Sequence, residues 1–142
     1  MKIQQISLFV ENKPGHIAAP ARLLAEHGFG IRALYLADTQ QYGIMRFIVA
    51  ESQKAATLLE TQGFVVKLTE VLAVEVADQP GGLADVLDAL DGSGINIEYM
   101  YAFPNMCAGK AILIFRFNDS DAAIAQLQRA GINLLASDEL LK

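Results

Sequence analysis

Apolar and polar positions divide the chain into short segments of two kinds. The first apolar run, Ile3–Val10, fits a strand and breaks at the turn-forming residues Asn12–Gly15. A helix is predicted from about Gly15 to His27, with Ile17, Leu23 and Leu24 on one buried stripe and Gly28 as its C-terminal cap. Pro20 falls in its first turns, where proline is tolerated better than in mid-helix. A strand at Ile31–Asp38, a hairpin turn ending near Gly43 and a very apolar strand at Ile44–Ala50 come next. Ser52 is a good N-cap for a second helix that runs to Gln62 and is closed by Gly63; Phe64–Leu68 reads as a fourth strand.

The same order then recurs. Ile6–Ile17 sits over Leu72–Leu83 at an offset of 66, which also brings Gly28 onto Gly94 and Ile31 onto Ile97. Gly63 meets Gly131 at an offset of 68, so the second copy carries about two extra residues, placed in the segment Phe103–Gly109. Its predicted elements are strand Val71–Ala77, helix Gly82–Leu90, strands Asn96–Phe103 and Lys110–Asn118, a helix from Ser120 or Asp121 to Ala130, and strand Ile132–Leu135. Ile124 and Leu127, three apart, give that last helix a buried face.

Two βαββαβ units are therefore expected, an α+β, ferredoxin-like arrangement with antiparallel four-stranded sheets and the helices of each on one face. The domains are expected at residues 1–69 and 70–142, joined by little more than Thr69-Glu70. Units of this size bury too little surface to be robust alone, so they should lean on each other or on a second chain.

Composition narrows the function. Of the 142 residues, 53% are hydrophobic and 19% charged, enough apolar material for a real core. The net charge of −5 comes from 16 acidic and 11 basic residues with no basic stripe, which argues against nucleic acid as a partner. A single cysteine, Cys107, excludes an intrachain disulfide, and no Cys/His spacing suggests zinc. No apolar run is long enough for a membrane span and the opening residues do not read as a signal peptide, so a cytoplasmic location and no membrane partner are expected.

Candidate chemistry lies in the turn between the first strand and first helix of each copy, Glu11-Asn12-Lys13-Pro14-Gly15 and Ala77-Asp78-Gln79-Pro80-Gly81-Gly82. Proline at a helix start loses nothing by lacking an N–H, and the glycine after it lets a ligand approach the backbone. Amides at a helix N-terminus favour a carboxylate, and Asn12 or Asp78 could offer an oxygen to an ammonium group. Those parts suit a free amino acid. An ordinary turn that merely starts a helix has the same sequence, and duplication would copy it.

The pattern of strand, Asn/Asp-x-Pro-Gly, helix, glycine and strand inside a βαββαβ unit resembles the ACT domain, over essentially the whole chain and twice. The resemblance implies a stand-alone tandem ACT protein, a regulatory module without a catalytic domain. It implies a small-molecule amino acid bound at the strand–helix turn, at an interface between paired ACT units. Carried over, the ligand-binding positions are Asn12, Lys13, Pro14, Gly15, His16 and Ile17 in the first copy. In the second they are Asp78, Gln79, Pro80, Gly81, Gly82 and Leu83. A homodimer is expected, with a partner enzyme as a further associate. The copies differ at Asn12 against Asp78 and His16 against Gly82, which favours binding in the first.

Other residues read as structural. His16 and His27 are eleven apart, too far to share a metal, and His27 suits a helix C-terminus. Tyr99 and Tyr101 share a sheet face and fit packing; Asp85, Asp88 and Asp91 fit a solvated helix edge; Cys107 has no evident partner base. No GxSxG, P-loop, GxGxxG or HExxH pattern occurs, so no cofactor, no metal and no enzymatic activity are expected. The competing reading is a non-catalytic regulatory or interaction subunit of an amino-acid biosynthetic enzyme, because Glu11–Gly15 also resembles the start of acetolactate synthase small subunits. In that family only the N-terminal part is an ACT unit, whereas here the second half repeats the motif.

Overall fold

A computed structural model describes residues 1–104 and 109–141. By internal contacts the chain forms two units, Gln4–Thr69 (the first) and Glu70–Lys142 together with Met1–Ile3 (the second).

The first unit follows β1 (Ile3–Glu11), α1 (Ala18–Glu26), β2 (Ala33–Asp38), β3 (Tyr42–Ile48), α2 (Ser52–Thr61) and the start of β4 (Val65–Ala77). Its strand order is β2-β3-β1-β4. Antiparallel pairing sets Ile6 opposite Phe47 and Leu8 opposite Met45. Directly opposed residues share a sheet face, so these four line one side together. Leu24 of α1 and Ala55, Ala56 and Leu59 of α2 pack onto that side to make the core.

The second unit continues from β4 through α3 (Gly82–Leu90), β5 (Ile97–Phe103), β6 (Lys110–Phe117), α4 (Ser120–Arg129), β7 (Leu134–Leu135) and a final turn of helix, α5 (Ser137–Leu140). Its strand order, β7-β4-β6-β5, repeats that of the first. Leu72, Val74 and Val76 of β4 and Phe115 and Phe117 of β6 face Val86, Leu90, Ala123 and Leu127 of the helices. The two phenylalanine rings stack at 5.3 Å.

Each unit is thus a ferredoxin-like βαββαβ fold, with its helices on one face of an antiparallel sheet. Several boundaries move. Residues 14–17 form a turn, so α1 begins at Ala18, not Gly15, and Pro20 sits buried in its first turn. Ser52 is the first helical residue of α2; the cap position is Glu51, which adopts the left-handed conformation (φ 56°). α4 is capped by Asp119, whose Oδ1 accepts from the Ala122 N–H at 3.0 Å. Thr69-Glu70 is not a linker: β4 runs unbroken through it. The last strand is only Leu134–Leu135, and α5 had no signal in the periodicity.

Candidate functional site

In the first unit the strand–helix turn is latched to the β2–β3 hairpin by Asn12. Its backbone N–H donates to the Gln41 carbonyl at 3.0 Å. Its side-chain amide donates to Asp38 Oδ2 at 3.3 Å and to the Thr39 carbonyl at 3.1 Å. Inside the turn, the His16 N–H donates to Lys13 O and the Ala18 N–H to Gly15 O, so part of the helix start is committed to the turn itself. Gly15 takes φ +79°, a conformation side chains with a Cβ rarely adopt.

Beside this turn opens a cleft of about 410 Å³. The end of β1 supplies Phe9, Val10 and Glu11, the turn supplies Lys13 and His16, and Tyr42 stands at the start of β3. The other wall is Gly63, Phe64 and Val65. Gly63 makes that wall possible: at φ +89° it reverses the chain after α2, with the Phe64 N–H returning to Leu59 O at 3.0 Å. The lining is mainly apolar, yet much of it is open to solvent. Phe9 is 42%, Tyr42 61% and Val65 65% exposed. Glu11 and Lys13 form an ion pair at 3.6 Å on its rim, both largely solvated. An exposed pair of this kind is worth little and gives way readily to other charged partners.

The second unit has a cleft at the repeat-related place, of about 220 Å³. Glu75 stands where the first has Phe9, Gly82 for His16, Lys110 for Tyr42, and Ile132 and Asn133 for Phe64 and Val65. Lys110 Nζ lies 3.8 Å from Glu75 Oε1 across it, and Asp85 adds a second carboxylate to the lining. Gly82 is buried, and a Cβ there would collide with the carbonyl oxygen of Ala77. A residue such as His16 has no room at that position.

Among the residues expected from sequence, Lys13 and His16 line the first cleft and Gly82 the second. Asn12, Pro14 and Gly15 shape the turn without lining the cleft, and Ile17 packs against the core. Asp78, Gln79, Pro80, Gly81 and Leu83 likewise lie outside the second lining. The Asp78 N–H donates to Gly109 O at 3.0 Å, tying this turn to the hairpin next to it as Asn12 does in the first unit. Sequence reasoning missed Phe9, Tyr42, Phe64 and Val65. Their signal was present in the repeat, which sets Tyr42 over Lys110 and Val65 over Asn133 two residues after paired glycines.

Elsewhere, the His27 ring donates through Nδ1 to the Leu23 carbonyl at 3.0 Å at the end of α1, a capping role. Asp85, Asp88 and Asp91 are exposed. Cys107 lies outside the described residues. Among the described residues no cluster of three or more His, Cys, Asp or Glu could hold a metal ion, and no helix is long and apolar enough to cross a membrane.

The fold, the repeat and the paired turns define a tandem of two related βαββαβ units, and comparison with known families agrees. A family model described as an ACT domain pair matches residues 1–142, and the chain belongs to that family. A crystal structure of a Bacteroides thetaiotaomicron protein is similar, with 35% identity, a TM-score of 0.92, and coverage of 100% of this chain and 97% of that one. The ligand-free regulatory subunit of aspartate kinase from Thermus thermophilus shares the fold at 22% identity and a TM-score of 0.65, over 89% of this chain and 91% of that one. Its counterpart from Thermus flavus does so at 20% identity and a TM-score of 0.60, over 90% and 92%. No curated protein matches at a significant level.

Proposed function

We propose that the chain is a cytoplasmic amino-acid sensor whose first-unit cleft holds a free amino acid. The observation that carries this is the cleft beside the Asn12–Gly15 turn, apolar inside and bearing Glu11 and Lys13 together at its rim. An α-amino acid presents an ammonium and a carboxylate on one carbon, complementary to that pair once the two side chains part. The volume of about 410 Å³ falls in the range usual for small-molecule sites, whereas the second cleft falls below it. ACT units hold such ligands between paired domains, so a second copy of the chain is proposed to close over the exposed Tyr42 and Val65. The regulated object is proposed to be an enzyme of amino-acid metabolism, in line with the Thermus proteins, which are regulatory subunits of aspartate kinase.

Thermal unfolding with each of the twenty amino acids tests the reading. At 100 to 1,000 times Kd the ligand should add roughly 3–4 kcal/mol of stability. Glu11→Gln and Lys13→Ala should each weaken binding by roughly tenfold, the loss of one hydrogen bond to a charged group. No stabilisation by any of the twenty would overturn the proposal.

A further inference from the structure

The two clefts stand on one backbone frame and carry different chemistry, and this difference bears on what the first would select. Resting on the reading above, we infer that the first cleft takes amino acids with large apolar, above all aromatic, side chains, and that Phe9, Tyr42 and Val65 are its specificity wall. All three are large apolar side chains substantially exposed around a single cavity. Exposed apolar surface gathered at one place marks a binding surface far more often than scattered residues do. In the second unit the same positions hold Glu75, Lys110 and Asn133, so the fold does not require an apolar lining there. A polar or charged ligand side chain entering the first cleft would lose water against Phe9, Tyr42 and Val65 and gain no charged partner from them. An aromatic ring keeps its dispersion contacts and can pair with the Phe9 and Tyr42 rings edge-to-face or offset.

The test grafts the second lining onto the first. Calorimetric titrations of the full chain with phenylalanine, leucine, aspartate and lysine are compared between the natural protein and the triple variant Phe9→Glu, Tyr42→Lys, Val65→Asn. Because a second copy is proposed to close over Tyr42 and Val65, unfolding temperature and oligomeric state are measured first, and if the triple variant changes either, the single variant Phe9→Glu takes its place in the titrations. The expected result is binding of phenylalanine and leucine, with aspartate and lysine at least roughly tenfold weaker, and a loss of phenylalanine affinity of roughly tenfold or more in the variant. Aspartate or lysine binding as tightly as phenylalanine would overturn the specificity and leave the sensor reading intact. Undiminished phenylalanine affinity in a folded variant would move the site away from this wall. Should Glu11→Gln or Lys13→Ala abolish binding while the graft does not, the head-group pair stands and the wall falls. Failure of all twenty amino acids would overturn the sensor reading and this inference with it.

Discussion

A methyl group added at Gly82 would run into the Ala77 carbonyl oxygen, a backbone atom with nowhere to swing. Gly15, one position earlier in the repeat frame of the first unit, meets nothing within 4 Å of an added Cβ, but its φ of +79° is costly for any residue that has one. The two glycines of similar sequence context are thus held by different forces. Gly82→Ala should cost about 3 kcal/mol through overpacking against the strand, and Gly15→Ala about 1–2 kcal/mol through left-handed strain. Urea denaturation ranks the pair; a milder effect at Gly82 would show that its helix can slide off β4. The Pro-Gly signature was visible in the sequence; to the room for a ligand expected of its glycine the backbone adds a second reason, the positive φ of Gly15 and Gly81. Neither positive φ nor a close carbonyl leaves a trace in residue identity beyond glycine itself.

At the level of elements, the latch made by Asn12 joins the strand–helix turn to the hairpin that carries Tyr42. Asn12→Ala removes its two side-chain hydrogen bonds and should cost about 1 kcal/mol, since both lie in solvent. Local loosening should show as faster amide exchange at Asn12 and at Thr39, which bonds to the Tyr42 carbonyl at 2.8 Å. Unchanged exchange at both would mean the hairpin holds itself. The helices and strands were legible because their apolar periods are clean and their ends carry glycine, serine or aspartate. The cleft was only half legible. Alternation along β1 and β3 assigns Phe9 and Tyr42 to the sheet face opposite Leu8 and Met45, away from the helices, but does not tell that a cleft opens beside them. The unbroken β4 was hidden for a related reason: Thr69 and Glu70 look like a polar joint. Their neighbours hold them in strand form, the Thr69 hydroxyl beside that of Ser7 at 3.5 Å and the Glu70 carbonyl accepting from Arg116 Nη1 at 2.8 Å.

On the scale of the whole chain, the contacts divide it between Thr69 and Glu70, and the first three residues belong by their contacts to the second unit. Lys2 pairs with Asp121 at 3.0 Å and with Glu70 at 3.5 Å, the Met1 sulfur accepts from Gln128, and Ile3 is buried. Ile3→Ala should cost about 2–4 kcal/mol in chemical denaturation, a core-sized loss from a terminal segment, whereas a value near zero would show the segment to be dispensable. Lys2→Met should matter little, and its effect has a defined sign. The hydrogen bond and charge of Asp121, then Glu70, raise the Lys2 pKa above its ordinary 10.5. The pairing therefore contributes below that value and fades as pH rises through the higher folded pKa, so wild type and variant should converge in strong alkali.

On the proposed function, the unequal clefts also set the shape of any dose–response curve. A chain that loads one cleft while Lys110 and Glu75 occupy the other with their own charges has one ligand per polypeptide. Its occupancy then climbs hyperbolically with concentration, and a sharp threshold can come only from coupling between separate chains.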